Sequence, residues 1–258
     1  MIGIRVFALA VCASLAIPAL TLGAQNPVPP RPQGPEQPLK NLKYFPKDIP
    51  RRALLDTMGT FTRALGVGCN FCHMVDDSIP RERRDFSSDA KPTKIKARTM
   101  LRMVAAINNQ YLPTLESRVQ PPVVVSCATC HRGVMIPRPL QQIILTAYDS
   151  SGTDSAVALY RDLRQRYYGR ASYDFGEEPL AEVGGALRQR NKVADALKFY
   201  MLNLEFAPTS ASAWSQAGGA QLAAGDTATA IKSFQKALSL DPNDRQATRA
   251  MQGLKAKP

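Results

Sequence analysis

Two histidines occur in 258 residues, and each closes a Cys-x-x-Cys-His run: Cys69-Asn70-Phe71-Cys72-His73 and Cys127-Ala128-Thr129-Cys130-His131. The spacing suits two thioether bonds to the vinyl groups of a c-type haem, with the next imidazole placed to bind the iron. Zinc binding and dithiol exchange are the competing uses of a Cys-x-x-Cys pair. Neither accounts for a histidine appended to both copies. With no third histidine, neither a bis-histidine haem nor a distal base can be built from imidazole, so any sixth ligand from the protein is another residue type.

Residues 1–24 hold a lone cation, Arg5, an apolar run from Val6 to Leu20 and small residues at Gly23-Ala24. This is the form of a secretory signal peptide. It implies export to the periplasm, with membrane-attached or extracellular placement as alternatives; Cys12 is the candidate for lipid attachment. Cleavage removes Cys12 and leaves four of the five cysteines, all in the two motifs. The expected cofactors are therefore two covalently attached c-type haems. The formal charge is +12, which suits an acidic redox partner or a membrane-bound complex. Cations and acids alternate, as in Arg81-Glu82-Arg83-Arg84-Asp85. No nucleic-acid motif accompanies them, and nucleic acid is not an expected partner.

Four segments follow from composition and periodicity: a signal peptide at 1–24, a proline-rich tether or strap at 25–50, a diheme cytochrome c domain at 51–147, and a helical repeat domain at 148–258. Within 51–147, Leu54, Leu55, Met58, Phe61 and Leu65 fall at helical spacing, and Gly66 and Gly68 end that helix just before Cys69. A second helix is predicted from Pro92 to Leu112, stopped by Pro113, with Ile95, Met100, Met103, Val104, Ile107 and Tyr111 inward. Each haem motif thus follows a methionine-bearing helix.

The last third repeats itself at an offset of 34 residues, which superimposes Leu180 on Trp214, Gly184 on Gly218, Ala196 on Ala230, Tyr200 on Phe234 and Pro208 on Pro242. That period with these residue types is the tetratricopeptide pattern of paired antiparallel helices. The second copy is the more regular, although Gln221 stands where an aromatic is usual. Repeats bury their faces only against neighbours, so helices near Ser155–Tyr168 and Asp244–Lys255 are expected to flank them. The fold class is all-α.

Soft thioether sulfur favours ferrous iron, so methionine is the natural sixth ligand. Met74 and Met135 sit too close in sequence to His73 and His131 to reach the opposite haem faces. Met58, on the helix before the first motif, is the candidate for the first iron. Met100 and Met103 lie one turn apart, and periodicity does not separate them.

These residues resemble the cytochrome c subunit of photosynthetic reaction centres. The likeness is carried by Met58-Gly59-Thr60-Phe61-Thr62-Arg63-Ala64-Leu65-Gly66-Val67-Gly68-Cys69, by Ala97-Arg98-Thr99-Met100-Leu101-Arg102-Met103 with Ile107-Asn108, and by Cys127-Ala128-Thr129-Cys130-His131-Arg132-Gly133. It spans roughly residues 50 to 138, one diheme half of a four-haem protein; helical repeats replace the other half. The resemblance implies Met58 as ligand opposite His73 and Met100 opposite His131, with Met103 the alternative. It also implies an electron carrier rather than an enzyme; the helical repeats are expected to dock a protein partner. The competing functions are a diheme peroxidase-like oxidoreductase and a repeat scaffold with structural or redox-sensing haems.

Overall fold

The structure is a computed structural model that describes residues 38–76, 78–79, 84–116 and 119–255. Residues 1–24 read above as a signal peptide, Cys12, most of the proline-rich segment and Arg81-Glu82-Arg83 lie outside the described residues. Every regular element among the described residues is helical, as expected, and Leu39–Pro258 forms one compact unit. None of the described helices is long and apolar enough to cross a membrane.

Helix α1, Arg51–Leu65, ends where Gly66 takes the left-handed conformation at φ 67°. A short 3-10 turn over Cys69–Phe71 then opens the first motif. Helix α2, Pro92–Ala106, starts with proline in its first turn, where the missing N–H costs no bond. The chain does not stop at Leu112. It widens into a π-helical turn over Ile107–Tyr111, and Pro113 then serves inside a 3-10 turn, Leu112–Thr114. Such widened turns accommodate a residue with an outside attachment. Here Asn108 donates to Val125 O and accepts from Val125 N, both at 2.8 Å. The second motif forms the short helix α3, Cys127–His131, started by a capping box between Ser126 and Thr129.

Helix α4, Leu140–Tyr167, bends at Gly152 (φ 80°, ψ 179°). Sequence periodicity found the half near Ser155, and the earlier half is hidden by that break. Helices α5 (Glu178–Gln189), α6 (Val193–Phe206), α7 (Ala211–Ala223), α8 (Thr227–Leu240) and α9 (Arg245–Lys255) complete the chain. The helices α5 to α8 are the two predicted repeats, with α4 and α9 packed on them.

The repeat glycines are required by their partners. A Cβ on Gly184 would lie 2.6 Å from the Tyr200 ring, and one on Gly218 would lie 2.8 Å from Phe234. Both are the pairs that the 34-residue offset superimposes. Buried rings at Phe199 and Phe234 each contribute roughly 1.5 to 3 kcal/mol through burial. Gln221, in the aromatic's usual place, is buried and accepts from Ser233 Oγ at 2.7 Å, so a satisfied polar pair takes the position of a ring.

Candidate haem-binding site

The two motifs are held by different means. The first is gripped from outside by the start of α2: Lys91 donates to Asn70 O, and Thr93 donates to Phe71 O at 2.6 Å. One turn on, Lys94 caps three successive carbonyls, Phe86, Ser87 and Ser88, each at 2.9 Å. Asp89 then binds Lys43, Lys94 and Arg98, with N···O distances of 2.9, 3.2 and 2.9 Å. Asn41 and Tyr44 add bonds to this loop and to Leu101 O, so the described end of the proline-rich segment straps across α2. Arg98 first, then Lys43, holds the Asp89 carboxyl far below the usual carboxylate range.

The second motif is locked by backbone contact. Gly133 N donates to Ala64 O at 2.8 Å, and a Cβ on Gly66 would lie 2.2 Å from Gly133 O. The end of α1 therefore seats directly on the end of α3. Ser172 Oγ donates to Arg132 O at 2.6 Å. Arg132 is exposed, and with Arg63 and Arg170 it lines a cleft of about 520 Å³.

Both histidines are oriented alike. His73 Nδ1 lies 2.9 Å from Phe86 O, and His131 Nδ1 lies 3.0 Å from Val134 O. A carbonyl only accepts, so each Nδ1 carries the proton and Nε2 is left with its lone pair available to a metal. The Phe86 ring meets the His73 ring edge-on at 5.2 Å, fixing its plane. Burial, then the charge of Lys94, lowers the pKa of His73. Burial raises the Cys72 thiol against the opposing pull of Lys91, and it raises Cys127 as well.

These residues fit c-type haem. The four described cysteines are free thiols in two pairs, each followed by an oriented imidazole. No group of three Cys, His, Asp or Glu side chains that could hold a metal ion is found among the described residues. The apolar surfaces agree with a large planar partner. Before Leu140 the buried apolar side chains among the described residues are Leu54, Ala64 and Val134, whereas Leu55, Ile95, Met100 and Met103 are 42% to 48% exposed. Of the expected inward face of this helix, Ile95, Met100, Met103 and Tyr111 are thus exposed, while Val104 and Ile107 are half-buried. The buried residue of α2 is Arg98, and at 3.6 residues per turn Met100, Met103 and Ile107 stand opposite it.

Residues 51–158 match the photosynthetic reaction centre cytochrome C subunit family. Residues 211–244 match the tetratricopeptide repeat. A curated relative, cytochrome c-554 of Chloroflexus aurantiacus, is 30% identical over 145 residues, covering 55% of this chain and 29% of its own length. This chain therefore spans less than a third of that relative. The family matched at 51–158 and this relative are both described as cytochromes. Among solved structures, the first tetratricopeptide domain of human RPAP3 is 19% identical, covering 45% of this chain and 87% of that one at a TM-score of 0.33. PcrH from Pseudomonas aeruginosa has the same identity and coverages at a TM-score of 0.31.

Met58, the candidate for the first iron, is half-buried midway along α1. Met100 and Met103 share one surface of α2 with 45% and 48% exposure, so the chain alone does not rank them. Phe71 is half-buried beside its motif, while Tyr111 is 65% exposed. Sequence reading missed Lys94, Asp89 and Asn108 as holders of the motifs. Asn108 had a signal, since it lies inside the family-like stretch; Asp89 acts through Asn41 and Lys43, remote in sequence, and Lys94 through the loop just before its helix, which periodicity does not reveal.

Proposed function

We propose that this chain is an exported diheme c-type cytochrome that carries single electrons between redox partners. The observation that carries the reading is the doubled arrangement of two free thiols followed by an imidazole whose Nδ1 is fixed by a nearby backbone carbonyl. Cys69 and Cys72 hold one haem and Cys127 and Cys130 the other. His73 and Met58 would hold the iron of the first, and His131 and Met100 that of the second. When bound, each haem supplies a one-electron redox change.

The chain's own residues orient the imidazoles and bring a partner close. The repeats supply a protein-docking surface, and the net charge of +12 favours an acidic protein or a membrane-bound complex. The apolar run at 1–24 supports export to the periplasm.

Mass spectrometry of denatured protein tests the stoichiometry: two haems remain attached. A protein that retains one or none refutes the diheme reading. Carbon monoxide tests the ligation. Wild-type protein excludes it, Met58→Ala admits it at one haem and lowers that potential, and Met100→Ala does so at the other. Ready binding at both haems of the wild type refutes methionine ligation and favours a peroxidase-like activity.

A further inference from the structure

The Phe86 carbonyl has two donors. His73 Nδ1 and Lys94 Nζ each lie 2.9 Å from the same oxygen. Lys94 is anchored by Ser87 O and Ser88 O at 2.9 Å, and its side chain is 12% exposed, so solvent screens it little. Around it three cations, Lys43, Lys94 and Arg98, share the single carboxylate of Asp89, leaving the cluster positive. The second histidine has no such arrangement. His131 Nδ1 meets Val134 O at 3.0 Å within a tight turn, and no lysine or arginine among the described residues donates to that oxygen.

We propose that Lys94 is a positioning residue that weakens His73 as an electron donor to its iron and so raises the potential of the first haem, a device absent from the second. The inference rests on the diheme reading above. An ammonium on a carbonyl oxygen draws electron density from it and makes it a poorer acceptor for the imidazole N–H. The imidazole is then less anionic and stabilises the oxidised iron less. A cation held near the haem works in the same direction, because it favours the state with one more electron. Outer partners of a ligating histidine tune a metal in this way, and their removal commonly changes its equilibria by about 10- to 100-fold.

The experiment is a potentiometric titration of the haem-loaded protein beside Lys94→Met, Lys94→Arg and Asp89→Asn. Lys94→Met keeps the length of the side chain and removes its charge and donors. One of the two midpoints falls by about tenfold in the reduction equilibrium, ~59 mV for one electron, and the other stays. Lys94→Arg keeps the wild-type value. Asp89→Asn, which removes a carboxylate from the same ammonium, moves that midpoint upward. In reduced protein the His73 Nδ1–H resonance shifts downfield in Lys94→Met as its bond to Phe86 strengthens, while that of His131 is unmoved. Two unchanged midpoints, equal shifts at both, or the same fall in Lys94→Arg overturn the inference. Haem mass keeps the two readings apart: a protein loaded at the first motif alone refutes the diheme reading, while the Lys94 shift at that haem still decides this one.

Discussion

Replacing Gly66 with alanine tests how α1 is joined to the second motif. Gly66 sits at φ 67°, and its Cβ would lie 2.2 Å from the Gly133 carbonyl oxygen. The left-handed conformation alone costs an alanine about 1 to 2 kcal/mol. The clash is with backbone, so no rotamer change relieves it, and overpacking of this kind costs roughly 1 to 3 kcal/mol. Moving Gly133 away also stretches its 2.8 Å bond to Ala64 O, a contribution of about 0.5 to 1.5 kcal/mol. The expected loss is about 3 to 5 kcal/mol, allowing for overlap among these contributions. Guanidinium unfolding of the haem-loaded protein, followed by far-ultraviolet circular dichroism and by the haem absorption of the second site, measures it. Gly225→Ala is the control, because Gly225 has φ 87° with nothing within 4 Å of its Cβ. It should cost only the conformational share, about 1 to 2 kcal/mol. If Gly66→Ala costs no more than Gly225→Ala, the seating of α1 on α3 is wrong.

Gly218→Ala should destabilise the repeats by about 1 to 3 kcal/mol through its contact with Phe234. Thermal unfolding of Phe234→Leu with Gly218→Ala, against each single change, should show that the two are coupled; strict additivity would contradict the packing. Asp89 sets an acid limit. Its carboxyl is lowered on folding, so its stabilisation is present above the unfolded value of about 3.9 and is lost as pH falls below it. In Asp89→Asn the stability of the first motif should be lower near neutrality and fall less steeply on acidification, as read by the haem absorption of that site; an unchanged acid limb would exclude this role.

The attachment motifs were legible because their chemistry is contiguous: two thiols and an imidazole within five residues need no tertiary information. The repeats were legible because Gly184 with Tyr200, and Gly218 with Phe234, state one packing contact twice. What was not legible depends on remote contacts. Arg98 reads as a surface residue of α2, yet its pairing with Asp89 and Asn41 O buries it. The expected inward face of α2 was apolar as read, but the chain's own core leaves Ile95, Met100, Met103 and Tyr111 exposed. The π turn at Ile107–Tyr111 follows from one side chain, Asn108, reaching Val125, and no local periodicity encodes that reach. The first half of α4 was lost because Gly152 interrupts its phase.

Helix α4 begins nine positions after His131, and Leu140 and Ile144 in its first turns are 2% and 0% exposed within the repeat core. The second haem motif is therefore anchored on a short leash to the surface proposed to grip a partner, with no long slack linker between recognition and redox chemistry. Tunnelling rates fall steeply with separation, so a carrier built this way converts each docking event into a fixed distance for the electron. Lengthening the stretch between Val134 and Leu140 would leave docking strength intact while slowing transfer, in the way that loosening a clamp spoils a contact without weakening the wire.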